Sequence, residues 1–443
     1  MDATAHFKGK KITVMGLGLL GRGLGDVRYL ASCGAELIVT DLKTEEQLSS
    51  SLEELKDVSG VTYVLGEHRL EDFRERDFIL KAAGVPLNSP YIEEAGRNGI
   101  PVKMSASWFA EIADIPVIGV TGTRGKSTTT HMIHAVLEHA GFPMLLGGNV
   151  RGVSTLALLP EVEIGSIALL ELDSWQLQGF GDAKRSPNIA VFTTFFPDHM
   201  NYYPDMDTYL ADKAQIFLYQ QPTDTLVLGG QCAELIQEKY ADRINAFVVT
   251  VGAHDFRADW ELPIPGEHNR YDAALAVEAA RAMDVDDETI REALADFKGV
   301  PGRLELVREV DGVSYYNDTT ATTPDAVVAA LSALTERHAG KIALVTGGAD
   351  KGLDMDPYVD AVRQHASHVT LLAGTGTERV RGAFPDATVC ESLAEAFNDA
   401  RAHAEAGGAV VLSPGFASFG MFKNEYDRGD QFNALVSALK EAS

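Results

Sequence analysis

Residues 116–141 read PVIGVTGTRGKSTTTHMIHAVLEHAG. The opening PVIGV is a short apolar run, the length of one buried strand. From Gly125 onward apolar residues return at helical spacing, and Gly141 gives that helix its stop. The loop between strand and helix holds Gly122, Thr123, Arg124, Gly125, Lys126, Ser127 and Thr128. A strand, a glycine-rich loop and a helix opening on Lys-Ser form a cradle for a triphosphate. Backbone N–H groups hold the β-phosphate, Lys126 neutralises the β- and γ-phosphates, and the Ser127 hydroxyl ligates Mg²⁺. The loop is a shorter variant of the common phosphate loop, with Val120 where that pattern places its first glycine. ATP and Mg²⁺ are therefore the expected ligands of this stretch.

The pattern of short apolar runs and helical stretches extends both ways. Upstream, KITVMG (11–16), AELIVTD (35–41) and DFILKAAG (77–84) read as strands, and GRGLGDVRYLASCG (21–34) as a helix. Downstream, IALLELD (167–173), NIAVFTTF (188–195), DTLVLGG (224–230) and FVVTVG (247–252) read as strands. DTYLADKAQIFLYQ (207–220) and GEHNRYDAALAVEAARAMD (266–284) read as helices. VSYYND (313–318), KIALVTGG (341–348), HVTLLAG (368–374) and AVVLSPG (409–415) continue the strand series, and DQFNALVSALKEAS (430–443) closes the chain as a helix. The expected fold is α/β with parallel sheets in three domains, 1–112, 113–299 and 300–443. The first is Rossmann-like, the second a P-loop mononucleotide-binding ATPase domain and the third Rossmann-like again. No low-complexity linker or internal repeat interrupts them.

A second glycine motif opens the first domain. Gly16-Leu17-Gly18-Leu19-Leu20-Gly21 matches G-x-G-x-x-G between a strand and a helix. Gly18 lets a pyrophosphate approach the backbone, and the helix start offers N–H groups to it. Asp41 ends the next strand, where a ribose-binding acid would sit. NAD and a nucleotide diphosphate such as UDP present the same groups, so the motif admits both. It also admits close strand–helix packing with no ligand. The phosphate loop argues against a dehydrogenase, which has no use for an ATP cradle.

Lys and Arg total 38 against 64 Asp and Glu, a formal net charge of −26. Such a field repels nucleic acid and anionic membrane, and any anionic ligand must be met by local cations, backbone N–H groups or a metal. Cys33, Cys232 and Cys390 are widely spaced and odd in number, which suits idle thiols in a reducing compartment. No apolar run approaches the roughly 20 residues of a membrane span. The N-terminus has no secretory pattern, so the cytoplasm is the expected location.

Glu171 and His199 each follow a buried strand of the central domain. Both strand ends would lie at the sheet edge that carries the phosphate loop, where open α/β sheets gather ligands. With Ser127 they can complete a magnesium shell. Read singly, Glu171 also fits a helix N-cap or ion pair, and His199 a plain structural histidine. Lys213 by chemistry alone is a solvated helix lysine.

GVTGTRGKSTTT (119–130), LLGGNVRG (145–152), LLELDSWQLQ (169–178), TTFFPDHMNYY (193–203), DKAQIF (212–217), GEHNRYDAALA (266–276), GVPGRLE (299–305), YYNDTTAT (315–322), GGADKG (347–352) and LSPGFASFGMFKN (412–424) stand in one order along nearly the whole chain. Together they resemble the Mur ligase superfamily. That resemblance implies an ATP-dependent amide ligase acting as a monomer in cytoplasmic peptidoglycan-precursor synthesis. It would join glutamate, D-glutamate on the match of both chain ends, to UDP-N-acetylmuramoyl-L-alanine through an acyl phosphate. It implies Lys126, Glu171, His199 and Lys213 as the catalytic set, with Ser127, Glu171, His199 and a carbamylated Lys213 around magnesium. It also implies ATP contacts from Asn269, Arg303 and Asp318, and UDP-substrate contacts from Gly18, Leu19, Leu20, Asp41, Lys43 and Asn149. Thr322, Lys351, Ser418 and Phe419 fall to the glutamate pocket.

Four positions depart from the family's usual pattern. Asp318-Thr319-Thr320-Ala321-Thr322 lacks a common lysine, and Glu425 stands where an aromatic is usual. Asp173 replaces a serine, and Asp272 an asparagine. The loss of the lysine bears on amino-acid selectivity. A sibling ligase using L-glutamate or another acceptor, an NAD-dependent oxidoreductase and a non-catalytic nucleotide binder are the rival readings.

Overall fold

A computed structural model of the chain describes residues 3–19, 21–86, 88–200 and 202–440. Three sheets follow one another. The first takes β1 (Lys11–Met15), β2 (Glu36–Asp41), β3 (Val61–Leu65), β4 (Phe78–Lys81) and β5 (Val102–Lys103), in the order β3-β2-β1-β4-β5 and all parallel. The second takes β6 (Val117–Thr121), β7 (Met144–Gly148), β8 (Ile167–Glu171), β9 (Ile189–Phe192), β10 (Thr225–Gly229) and β11 (Phe247–Val251). Its order is β11-β10-β9-β6-β8-β7, again all parallel. The third takes β12 (Glu305–Val310), β13 (Val313–Asn317), β14 (Ile342–Gly347), β15 (Ala366–Leu372), β16 (Thr388–Cys390) and β17 (Ala409–Leu412), in the order β12-β13-β17-β14-β15-β16. Only β12 is antiparallel to its neighbour.

The central strands β6, β8 and β9 are buried at every residue. That is why they read as continuous apolar runs and not as alternating ones. The helix Lys126–His139 packs against β6, β7 and β8 and buries Met132, Ile133, Val136 and Leu137. Burial of Leu137 alone contributes roughly 2 kcal/mol. The helix ends where Gly141, at φ 83°, takes the left-handed turn and Phe142 N–H reaches back to the Leu137 carbonyl.

The chain divides into two compact units, Met1–Arg257 with Asp272–Ala293, and Ala258–Tyr271 with Leu294–Ser443. The first two sheets lie in the first unit and share one hydrophobic core. The helix Ser105–Ala113 explains this sharing. Its Trp108 meets Phe7 edge-on at 5.0 Å, on the side of the first sheet, while the same helix packs on the helix Ser174–Asp182 of the second.

The antiparallel β12 was not expected, and two expected helices have other bounds. The helix expected over 207–220 spans only Met206–Ala214. The Ser186 hydroxyl takes the Gln215 carbonyl and accepts from Tyr219 N–H, which pulls the chain off the helical path. The closing helix spans Glu425–Ser437 and starts earlier than expected, because the Asn424 side chain caps it through Asp427 N–H.

Candidate active site

β6 lies at the point where the strand order of the second sheet reverses, with β8 on one side and β9 on the other. Loops leaving the carboxyl ends of these three strands must converge. The phosphate loop leaves β6, and two of its glycines are there for space and backbone angle. Gly122 has φ 147°, and a Cβ on it would lie 2.0 Å from Thr193 Oγ1. Gly125 has φ 84°, and a Cβ would lie 2.3 Å from Asp272 Oδ1. Thr193 and Thr194, which follow β9, brace the loop: Thr123 N–H donates to the Thr194 carbonyl at 2.7 Å and Arg124 N–H to Thr194 Oγ1 at 3.0 Å. Gly125 starts the helix Lys126–His139 with no side-chain cap, so the helix start presents N–H groups at the loop. Ser127 is buried in its first turn and Thr128 half-buried.

Two lysines meet on one carbonyl. Lys126 Nζ donates to the Gly122 oxygen at 3.0 Å and Lys213 Nζ donates to the same atom at 2.8 Å. Lys213 is 1 % exposed and its ammonium also lies 4.9 Å from the Tyr209 ring. Burial first, then the neighbouring Lys126 charge, hold its pKa well below that of an ordinary lysine. The surface lysine that local chemistry alone suggested is thus a buried amine in the centre of the site.

Glu171 ends β8 and is 2 % exposed. Its Oε1 accepts from Asn149 Nδ2 at 3.1 Å, a neutral donor, and among the described residues no Lys or Arg pairs with it. His199 sits at φ 56° beyond β9, its ring 4.7 Å from Trp175 and 6.1 Å from Tyr209. Burial lowers its pKa, which favours the neutral, ligating imidazole. Arg124 pairs with Asp198 at 3.1 Å beside it. Ser127, Glu171, His199 and Lys213 therefore all belong to the carboxyl edge of one sheet. A buried carboxylate with only a neutral partner, a hydroxyl and a neutral imidazole are the donors that suit a divalent cation, so Mg²⁺ fits this set.

A cavity of about 420 Å³ opens on the first sheet, lined by Gly18, Leu19, Asp41 and Lys43 among others. Leu20 lies outside the described residues. Asp41 Oδ2 accepts from the N–H groups of Leu17 and Gly18 at 3.0 and 3.1 Å. The acid expected to meet a ribose thus holds two backbone donors of the glycine turn. Sequence reading missed three charged groups on this wall: Arg22, Asp26 and Lys81. Burial pushes Asp26 up to about 6 and Lys81 down to about 8. A lysine ending the apolar run FILK was the available signal for Lys81.

In the second unit, loops after β13, β14 and β17 form another cluster. Lys351 Nζ donates to Thr322 Oγ1 at 2.9 Å, and the Ala349 and Ala417 backbones bond to each other in both directions. Ser418 is buried beside Ala417, and Phe419 is exposed. Asp318 is buried, with Leu304 N–H and Ser413 Oγ on its two oxygens, and burial pushes it up to about 7. Arg303 is exposed, and Asn269 Nδ2 donates to the Pro265 carbonyl. Beside the 318–322 segment, which lacks the common lysine, Arg428 is fully buried and donates to Thr319 O at 2.8 Å and to Phe416 O.

Three family models match the chain in series: the Mur ligase MurD-like N-terminal domain over 10–104, the Mur ligase middle domain over 120–273 and the Mur ligase glutamate ligase domain over 302–416. The chain belongs to the Mur ligase family. This Mur ligase is 36% identical to the UDP-N-acetylmuramoylalanine–D-glutamate ligase of Roseiflexus sp. (strain RS-1), over 97% of the chain and 99% of that relative. It is 32% identical to the protein of the same name from Borreliella burgdorferi (strain ATCC 35210), over 98% and 99%. Its fold is shared with the crystal structure of UDP-N-acetylmuramate-alanine ligase MurC from Thermotoga maritima, at TM-score 0.64 and 18% identity over 97% of this chain and all of that one. No helix among its described residues is long and apolar enough to cross a membrane.

Proposed function

We propose that this Mur ligase joins D-glutamate to the free carboxylate of UDP-N-acetylmuramoyl-L-alanine at the expense of ATP, through an acyl phosphate. The observation that carries the reading is the pair Lys126 and Lys213 on the Gly122 carbonyl, with Glu171 ending β8 and His199 following β9 on either side of β6. The names of the full-length relatives support the choice of substrates. The first domain (1–112) takes the UDP-sugar, the second (113–299) ATP and the third (300–443) glutamate.

The chemistry needs two anions, a carboxylate and a γ-phosphate, to touch. At 4 Å two unit charges repel by roughly 4 kcal/mol near a protein surface. Magnesium, when bound, screens that repulsion and polarises the phosphoryl oxygens. Ser127, Glu171 and His199 would hold it, while Lys126 and the helix start hold the β- and γ-phosphates. The carboxylate oxygen attacks phosphorus and ADP leaves with the bond electrons. The neutral glutamate amine then attacks the acyl carbon, loses a proton, and phosphate departs. Asn269, Arg303 and Asp318 are assigned to ATP, Gly18, Leu19, Leu20, Asp41, Lys43 and Asn149 to the UDP-substrate, and Thr322, Lys351, Ser418 and Phe419 to glutamate.

Lys213 is assigned as a carbamate. A neutral amine adds to CO₂ and releases one proton, and burial beside Lys126 favours the neutral amine. The product replaces a cation pressed against a second cation by an anion able to ligate metal. The enzyme is assigned to the cytoplasm as a monomer. Its three cysteines are buried and unbridged, in keeping with a reducing compartment.

The test is phosphate release with D- and L-glutamate side by side. ATP hydrolysis is expected only with UDP-N-acetylmuramoyl-L-alanine and D-glutamate both present. Equal rates with L-glutamate would reassign the enzyme to a sibling activity, and no dependence on either substrate would overturn the ligase reading.

A further inference from the structure

The nucleotide cavity and the candidate metal site are joined by a short chain of hydrogen bonds, and its first member is Arg22. Arg22 opens the helix Arg22–Ser32 and lines the cavity. Its guanidinium donates to Asn149 Oδ1, and Asn149 Nδ2 donates to Glu171 Oε1 at 3.1 Å. The Asn149 backbone is fixed as well. Its N–H donates to the Glu171 carbonyl at 2.6 Å, and the preceding Gly148, at φ 85°, has no room for a Cβ, which would lie 2.0 Å from that carbonyl oxygen.

The orientation of the Asn149 amide follows from its two neighbours. Turned over, its NH₂ would face the guanidinium, donor against donor, and its oxygen would face the carboxylate, acceptor against acceptor. Arg22 therefore dictates that Asn149 presents its NH₂ to Glu171. A guanidinium carries five N–H donors in a planar fork, so Arg22 can keep Asn149 and still offer donors to an anion in the cavity. Arg22 shares the cavity wall with Lys43 and Lys81, while Leu17 and Gly18 N–H are occupied by Asp41; of the three cations it is the one that also bonds Asn149.

We infer that Arg22 holds the diphosphate of the UDP-substrate and, through Asn149, positions Glu171 for the metal, so that filling the cavity and setting the metal site are one event. This rests on the UDP-substrate reading above. Towards the metal Arg22 is a positioning residue, and towards the diphosphate a direct contact. A lysine in its place, a point charge without the fork, could meet the diphosphate or Asn149 but not both.

The experiment compares wild type, Arg22→Leu and Arg22→Lys in two titrations of the intact chain without ATP or glutamate: UDP by calorimetry, and Mn²⁺ by electron paramagnetic resonance with and without UDP. Wild type is expected to bind UDP and to bind Mn²⁺ more tightly when UDP is present. Arg22→Leu is expected to lose about tenfold or more in UDP affinity, the loss typical of a charge-assisted hydrogen bond, and to lose the effect of UDP on Mn²⁺. Arg22→Lys is expected to keep most of the UDP affinity and still lose that coupling. Retained ATP binding shows that each variant is folded. Variants that match wild type in both titrations would overturn the role of Arg22 while leaving the ligase intact. Failure of wild type to bind UDP would instead overturn the substrate reading itself.

Discussion

Replacing Lys213 by alanine is expected to lower substrate-dependent phosphate release by about a hundredfold to a thousandfold, the range seen when one preorganised charge is removed from a transition state. Formate or acetate at millimolar concentration should restore part of it. The reason is the position of the amine. Lys213 Nζ lies on the Gly122 carbonyl beside Lys126 Nζ, so as an ammonium it would add repulsion to a site that must already hold a second cation. As a carbamate it becomes a carboxylate, and a short free carboxylate can occupy the space left by the truncated side chain. The same assay under CO₂-depleted buffer should slow the wild type and leave the acetate-rescued variant unchanged. Full activity in Lys213→Ala would remove the carbamate from the account.

Glu171→Gln is the second large effect. The amide is the same size, and its oxygen can still accept from Asn149 Nδ2, so the end of β8 should keep its shape. What is lost is a buried negative charge facing the metal. Loss of a direct ligand of this kind is worth about 3–5 kcal/mol of transition-state stabilisation, or roughly 10² to 10⁴ in rate. Stability should move the other way. Glu171 is 2 % exposed and meets no cationic side chain among the described residues, so a neutral replacement relieves its desolvation. The expected pair of readings is a collapsed phosphate-release rate with a melting temperature equal to or above that of wild type. A parallel fall in both would mean that Glu171 is a structural carboxylate.

Much of this site was legible in the residues because its parts sit at strand ends. Glu171 and His199 each close an apolar run, and the phosphate loop lies between a buried strand and a helix. Once the sheet is parallel, those ends meet at one edge. Lys213 was not legible by chemistry, because nothing in YLADKAQIF separates a buried helix lysine from a solvated one. Only the resemblance to the family singled it out. Arg22 and Lys81 escaped for a related reason: a basic residue at a helix start or a strand end reads as surface until the opposite wall is known. That wall is formed by residues distant in sequence, Met104, Ser105 and Gln176 among them. The antiparallel strand β12 carried a signal that went unused. Asp311-Gly312, both at positive φ, is the two-residue turn of a hairpin. The early end of the helix at Ala214 was beyond reach, since it depends on a hydroxyl from Ser186, 29 residues away.

Everything converges on a carboxylate taking the terminal phosphoryl group of ATP. The most direct measurement is oxygen transfer. UDP-N-acetylmuramoyl-L-alanine labelled with ¹⁸O in its free carboxylate is turned over with ATP and D-glutamate, and the products are read by mass spectrometry. One labelled oxygen is expected in each inorganic phosphate released and none in ADP. Unlabelled phosphate, or label appearing in AMP, would contradict the acyl-phosphate account.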